Sequence, residues 1–290
     1  MLAVLLAVGL GCSSWADPCN DWKADFTRRL SVHAEKLPAC LERFKDYLTN
    51  ASSDRFVVST NFWLKGLDFT AVSPWNSHDG NLRAGTAISR RHVIFAKHFP
   101  LRLGTRIAFV GETGIATHYT IKDVKAVASC DIMVGVLDWE LTPDIHPAKI
   151  LPEISDGLFA PGSYWPVVTF DKHERAYLSE IVGNRDKDTG VLYLINRAAH
   201  SNEWRRYGGH LVCGDSGNPA FIILNGQPIL LYCLLGGGEG DGPFIHKHRT
   251  EVQKVMDELC SGYKLEEASI GHLGPSEQTT AAARMSSPLP

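Results

Sequence analysis

Apolar residues along this chain come mostly in short runs broken by Gly, Asn and Asp. From Arg55 to about Ile150 the runs are RFVVST, TRIAFVG, THYTIKDVKAVAS and DIMVGVLD; from Leu151 they are YWPVVTF, AYLSEIV, VLYLIN, PAFIIL and PILLYCLL. Apolar runs of this length between turn-forming residues read as antiparallel strands. They fall into two sets, so the pattern predicts an all-β chain with one set over 51–150 and a second over 151–260. Helical spacing appears in two places only. Leu37, Cys40, Leu41, Phe44, Tyr47 and Leu48, with Pro38 near a helix start, predict a helical extension over 17–50. Val252, Val255, Met256 and Leu259 share one helical face and predict a C-terminal helix over Thr250–Leu259. From Ser261 the chain turns rich in Ser, Ala, Gly and Pro, and a disordered tail is expected over 261–290.

The first residues carry a targeting pattern. Leu2–Leu10 is apolar but too short to span a bilayer, and Ser14-Trp15-Ala16 offers small residues where a signal peptidase reads. A signal peptide over 1–16, cleaved after Ala16, is expected, with a secreted, periplasmic or cell-surface destination. Lipid attachment at Cys12 is the second reading, and the only membrane association the sequence suggests. Cys12 is lost or acylated either way, which leaves six of the seven cysteines. An even number in an exported chain suggests disulfides, and Cys19–Cys40 is the expected pair. The other pairs stay open, and Cys130 reads equally as a buried free thiol. A net charge of −3 argues against nucleic acid as a partner. No cofactor is expected, and no metal-ligand spacing is recognisable; the oligomeric state is left open.

The segment with the most chemistry is Cys213-Gly214-Asp215-Ser216-Gly217-Asn218-Pro219. Glycines on both sides let the backbone turn sharply and leave room for a substrate carbonyl at Ser216. A serine hydroxyl becomes a useful nucleophile only when a base takes its proton. Residues 85–98, GTAISRRHVIFAKH, predict two short strands with His98 at the exit of the second. His92 precedes that strand and reads as structural. Asp131 stands at the mouth of the apolar run Ile132–Leu137; Asp123 and Asp138 lack that combination of loop position and long run.

These three segments resemble, in order, the glycine-anchored strand with A-A-H, the D-I-A-L-L-x-L and the G-D-S-G-G-P of the trypsin/chymotrypsin-like serine proteases. The similarity spans roughly residues 54–260. It implies two antiparallel β-barrels of the chymotrypsin type and a triad of His98, Asp131 and Ser216 between them, in the chain order of that family. It also implies an oxyanion site from the Gly214 and Ser216 amides, and a secreted endopeptidase acting on protein or peptide substrates. His210 would stand at the floor of the specificity pocket, with Leu234, Leu235 and Gly236 as the strand that binds substrate backbone. Several departures matter. Asn218 replaces the second glycine after the serine, and Phe99 stands where animal members carry cysteine. No I-V-G-G-like segment supplies a new N-terminus for Asp215, whose partner is left open, with an arginine such as Arg205 or Arg206 as a candidate. His210 offers no carboxylate to a Lys or Arg substrate side chain. The alternative is a protease-fold binding protein that kept these residues without an open cleft.

Overall fold

The computed structural model describes Arg28 and residues 40–45, 54–73, 83–152, 164–185, 192–198, 205–235 and 241–269. The signal segment, Cys19, Gly236 and the chain beyond 269 lie outside these residues. The described chain is mostly β-sheet, with a six-stranded sheet that is nearly closed into a barrel.

That sheet contains β1 (Val72–Ser73), β2 (Gly85–Ala87), β3 (His92–Ala96), β4 (Arg106–Val110), β5 (Ala116–Ala126) and β6 (Ile132–Leu137), in the order β1-β2-β3-β6-β5-β4. β3 lies between β2 and β6, and all five of its residues are buried, which is why HVIFA reads as a continuous apolar run. β5 is partly solvated and carries an irregularity between Ile121 and Asp123. RFVVST does not become a strand. Arg55 and Val58 make isolated bridges instead, to Ile115 and Phe44.

The second sheet has seven strands: β7 (Lys149–Ile150), β8 (Tyr164–Phe170), β9 (Ala176–Arg185), β10 (Leu192–Ala198), β11 (Pro219–Leu224), β12 (Gln227–Cys233) and β13 (Asp241–Pro243), in the order β13-β10-β9-β8-β11-β12-β7. Its pairings are antiparallel except β7 with β12. One apolar core runs through both sheets. Residues from the first range help to join them. The Phe69 ring lies 5.1 Å from Phe170 and 5.5 Å from Phe221, and the Trp63 indole N–H donates to the Ala176 carbonyl at 2.9 Å.

Three expectations change. Cys40, Glu42 and Phe44 form β-bridges to Phe62, Arg175 and Val58, so this stretch is extended and not helical. The apolar residues at helical spacing there are claimed by strand-like pairing with Val58, Phe62 and the β8–β9 turn, a tertiary effect that overrides local pattern. Apart from Arg28, the rest of 17–39 lies outside the described residues. Cys40 is unbridged, its Sγ 3.5 Å from the Glu42 carbonyl oxygen, and no disulfide joins the five described cysteines. The tail is packed as far as Ala268: Ile150 and Glu267 form a parallel bridge, and Ala268 donates to the Ile150 carbonyl at 2.9 Å. Burial of Ala268 beside β7 outweighs the local composition that suggested disorder. The C-terminal helix α1 (Arg249–Leu259) forms as expected, with Val252, Val255 and Met256 buried. It lies against β5 and β6 of the first sheet, where Lys125 pairs with Glu258 at 2.7 Å. Among the described residues no helix is long and apolar enough to cross a membrane.

Candidate functional site

The first half of the site follows from sheet register. β3 and β6 run antiparallel with Ala96 opposite Ile132. His98 comes two residues after Ala96 and Asp131 one residue before Ile132, so pairing alone brings them side by side. Lys97 donates its backbone N–H to the Asp131 carbonyl at 3.2 Å, which extends the ladder to the site itself. The Asp131 carboxylate then takes two bonds from His98: the backbone N–H at 2.9 Å and ring Nδ1 at 2.5 Å. A carboxylate can only accept, so Nδ1 carries the proton and Nε2 of the neutral ring is an acceptor. Asp138 and Asp123 are spent elsewhere, on the backbone N–H groups of Thr120 and Val124. His92 is fully buried in β3 with Nδ1 2.8 Å from Ser89 Oγ.

The second half is a turn. Residues Val212–Asn218 lead into β11, and Gly214 and Gly217 take φ of +99° and +89°, the left-handed region closed to most side chains. Gly217 is also pressed onto the first sheet. A Cβ there would lie 3.2 Å from the Ala84 carbonyl oxygen and 3.4 Å from the Ala96 nitrogen. This close approach at the end of β3 brings Ser216 to His98, with Oγ 2.9 Å from Nε2. Ser216 Oγ also lies 3.1 Å from the Leu235 carbonyl oxygen. Its single proton therefore has two acceptors, an imidazole nitrogen and a peptide oxygen. Neither Gly214 nor Ser216 donates its amide to an acceptor among the described residues.

Asp215 is 1% exposed and points inward. Its carboxylate accepts the backbone N–H of Val212 at 2.6 Å and of Lys172 at 3.1 Å. The candidate partner Arg205 or Arg206 is thus corrected: peptide donors from the turn itself and from the β8–β9 connection hold Asp215. Burial holds the Asp215 carboxyl above the usual range, while those two N–H bonds favour the anion. Asn218 does not distort the turn. It is buried and closes it, with backbone N–H and side-chain amide both donating to the Asp215 carbonyl at 3.1 and 3.0 Å.

The expected pocket residues are placed unevenly. His210 is exposed. Leu234 is buried and pairs with Asn218, while Leu235 is half-buried and presents its carbonyl to Ser216. Gly236 lies outside the described residues. Cys130, next to Asp131, is an unbridged thiol that burial pushes up to about 11, which leaves it little thiolate character.

Two features had no signal in the sequence. Lys172 reaches the Ser216 turn twice, through its N–H to Asp215 and its Nζ to the Cys213 carbonyl oxygen at 3.3 Å. Away from the triad, Asp68, Glu112 and His146 gather with one ligand atom each within 4.8 Å of one another. Here His146 Nδ1 is already 2.6 Å from Asp68 Oδ2. Their wide separation in sequence hid them.

As a chemical device the arrangement is a relay. A carboxylate orients an imidazole, the imidazole can take a hydroxyl proton, and two unspent amides flank that hydroxyl. The chain matches no family model and no curated protein.

Proposed function

We propose that the chain is a serine endopeptidase of the chymotrypsin type, with the seven-stranded sheet as the second barrel of that fold. The observation that carries this reading is the continuous hydrogen-bonded line Asp131–His98–Ser216, built from residues far apart in sequence at the ends of strands from two different sheets. Chance pairs of polar groups seldom give a nucleophile, a base and an orienting acid in that order.

In this mechanism Ser216 Oγ attacks the substrate carbonyl carbon while His98 Nε2 takes the hydroxyl proton. Asp131 holds the Nδ1 proton in place and stabilises the imidazolium. The oxyanion forms opposite the amides of Gly214 and Ser216; one such donor is typically worth about 3–4 kcal/mol in the transition state. His98 passes its proton to the leaving amine, the acyl-enzyme remains on Ser216, and water clears it by the reverse sequence. The same steps serve an ester.

A fluorophosphonate probe tests the reading. Labelling of the folded wild type, absent in Ser216→Ala, supports it. A folded wild type that takes no label overturns it in favour of a binding protein with a closed site.

A further inference from the structure

Lys172 sits in the connection between β8 and β9, and the bonds around it leave that turn little freedom. Asp171 Oδ1 accepts the backbone N–H groups of His173 and Arg175 at 2.8 and 3.0 Å, and Tyr177 donates its hydroxyl to Oδ2 at 3.0 Å. Glu174 takes φ +57° and is buried. The segment before the first sheet clamps the same turn: Arg43 donates its N–H to the Glu174 carbonyl at 3.0 Å, and its guanidinium meets Glu174 Oε2 at 3.4 Å. Glu42 bridges Arg175.

From this braced turn Lys172 makes two bonds to the nucleophile loop. Its N–H goes to Asp215 Oδ1, and Asp215 carries the peptide that ends in the Ser216 amide. Its ammonium goes to the Cys213 carbonyl. In a trans peptide the carbonyl and the following N–H point in opposite directions, and no described peptide is cis. A Cys213 carbonyl held toward Lys172 therefore aims the Gly214 N–H away from it. Without that hold the peptide would be free to turn, because Gly214 tolerates both signs of φ. A turned peptide would present an oxygen where a developing oxyanion needs a donor.

We propose that Lys172 is a positioning residue that fixes the Cys213–Gly214 peptide plane and so keeps the Gly214 N–H available to the oxyanion. This rests on the protease reading for its catalytic meaning, though the geometric claim stands apart from it. The 40–44 segment acts through the same turn, which gives the chain before the first sheet a part in the site.

Three variants test it: Lys172→Met removes the donor, Lys172→Arg restores a cationic donor, and Lys172→Gln keeps a neutral one. The first readout needs no activity. The orientation of the Gly214 N–H vector is measured by residual dipolar couplings in the free protein. It should change in Lys172→Met and return in Lys172→Arg. The second readout is kinetic: kcat on a peptide or ester substrate should fall between about tenfold and the roughly hundredfold of losing an oxyanion donor, with KM within about twofold. Lys172→Gln should lie between Met and Arg. An unmoved Gly214 vector in Lys172→Met overturns the inference, as does a kcat within about twofold of wild type in an active enzyme. Wild type that is inert to fluorophosphonate while its Gly214 vector still depends on Lys172 would sink the protease reading and leave the positioning role intact. Should Lys172→Met fail to fold, the Lys172→Gln and Lys172→Arg pair gives the same comparison.

Discussion

The two halves of the site are held by different means. His98 and Asp131 sit where the antiparallel register of β3 and β6 puts them, and the bonds that align them continue the strand ladder. Ser216 rides on a turn whose shape depends on contacts from elsewhere: Lys172 on Asp215, Asn218 on the Asp215 carbonyl, and Gly217 against Ala84 and Ala96. The first half is thus a by-product of sheet formation, and its side chains add chemistry at little structural cost. The second half is an assembly of tertiary bonds, so on the protease reading the same residues would serve folding and chemistry. Substitutions should separate the two: loss of rate with stability kept in the first half, loss of both in the second.

The largest separation is expected at Asp131→Asn. The side-chain oxygen can still accept the His98 backbone N–H, so the strand ends should stay in place. The neutral amide no longer favours a proton on Nδ1, and kcat/KM should fall by about four orders of magnitude. The melting temperature should stay within a few degrees, on the order of the shift from 1 kcal/mol. A large drop in melting temperature would show that the first half is not the independent unit described.

Arg43→Met probes the far end of the second half. It leaves the Glu174 carboxyl buried without its guanidinium, and breaking a buried pair in this way typically costs about 3–5 kcal/mol. Burial already pushes the Glu174 carboxyl up to about 7, against the pull of Arg43. The cost should therefore be greatest above pH 7, where the carboxyl must ionise, and shrink at pH 5, where it protonates. Urea unfolding at the two pH values measures this; an equal cost at both would show that Glu174 keeps its charge throughout.

Gly217→Ala is expected to do less to stability, on the order of 1–3 kcal/mol, from a Cβ forced into a left-handed conformation and against the first sheet. Because that contact sets the distance between Ser216 and His98, a shift near 1 Å there should cost about a hundredfold in kcat/KM. Parallel thermal melts and substrate kinetics would show whether both fall together. Rate lost with full stability would erase the contrast between the halves.

This contrast also explains what could be read from the chain before folding. β3, β6 and α1 were legible because their apolar periods are local, and His98 and Asp131 were legible as the exit and entrance of two such strands. The Gly-rich turn marked Ser216 for the same reason. What holds that turn was not legible. The Asp215 partners are backbone N–H groups, which leave no trace in side-chain identity, and Lys172 lies 43 positions away in sequence. Cys40–Phe44 misled because an extended segment held by isolated bridges and a helix can share the same apolar residues, and only tertiary pairing decides. The Ile150–Glu267 bridge was hidden in the same way by a tail of polar composition.

The smallest expected effect is a pH dependence in which the halves oppose each other. In the first, burial lowers His92 to about 4 from its ordinary 6.5, against the Met256 carbonyl, which favours the charged ring. A depressed histidine contributes stability that is present above pH 6.5 and lost as pH falls through 4. In the second, the raised Glu174 carboxyl contributes stability that is fully present below its ordinary 4.5 and lost as pH rises through about 7. Between pH 4.5 and 6.5 these two trends have opposite sign and offset each other in the wild type. Glu174→Gln removes one and should leave a chain that loses stability steadily on acidification. His92→Phe, which keeps a ring beside Tyr263, should lose stability as pH rises over the same window. Denaturant midpoints from pH 4 to 7.5 for the three proteins give the slopes directly. Parallel slopes in the two variants would mean that these groups do not carry the pH response, and opposite slopes would tie each half of the site to its own buried titration.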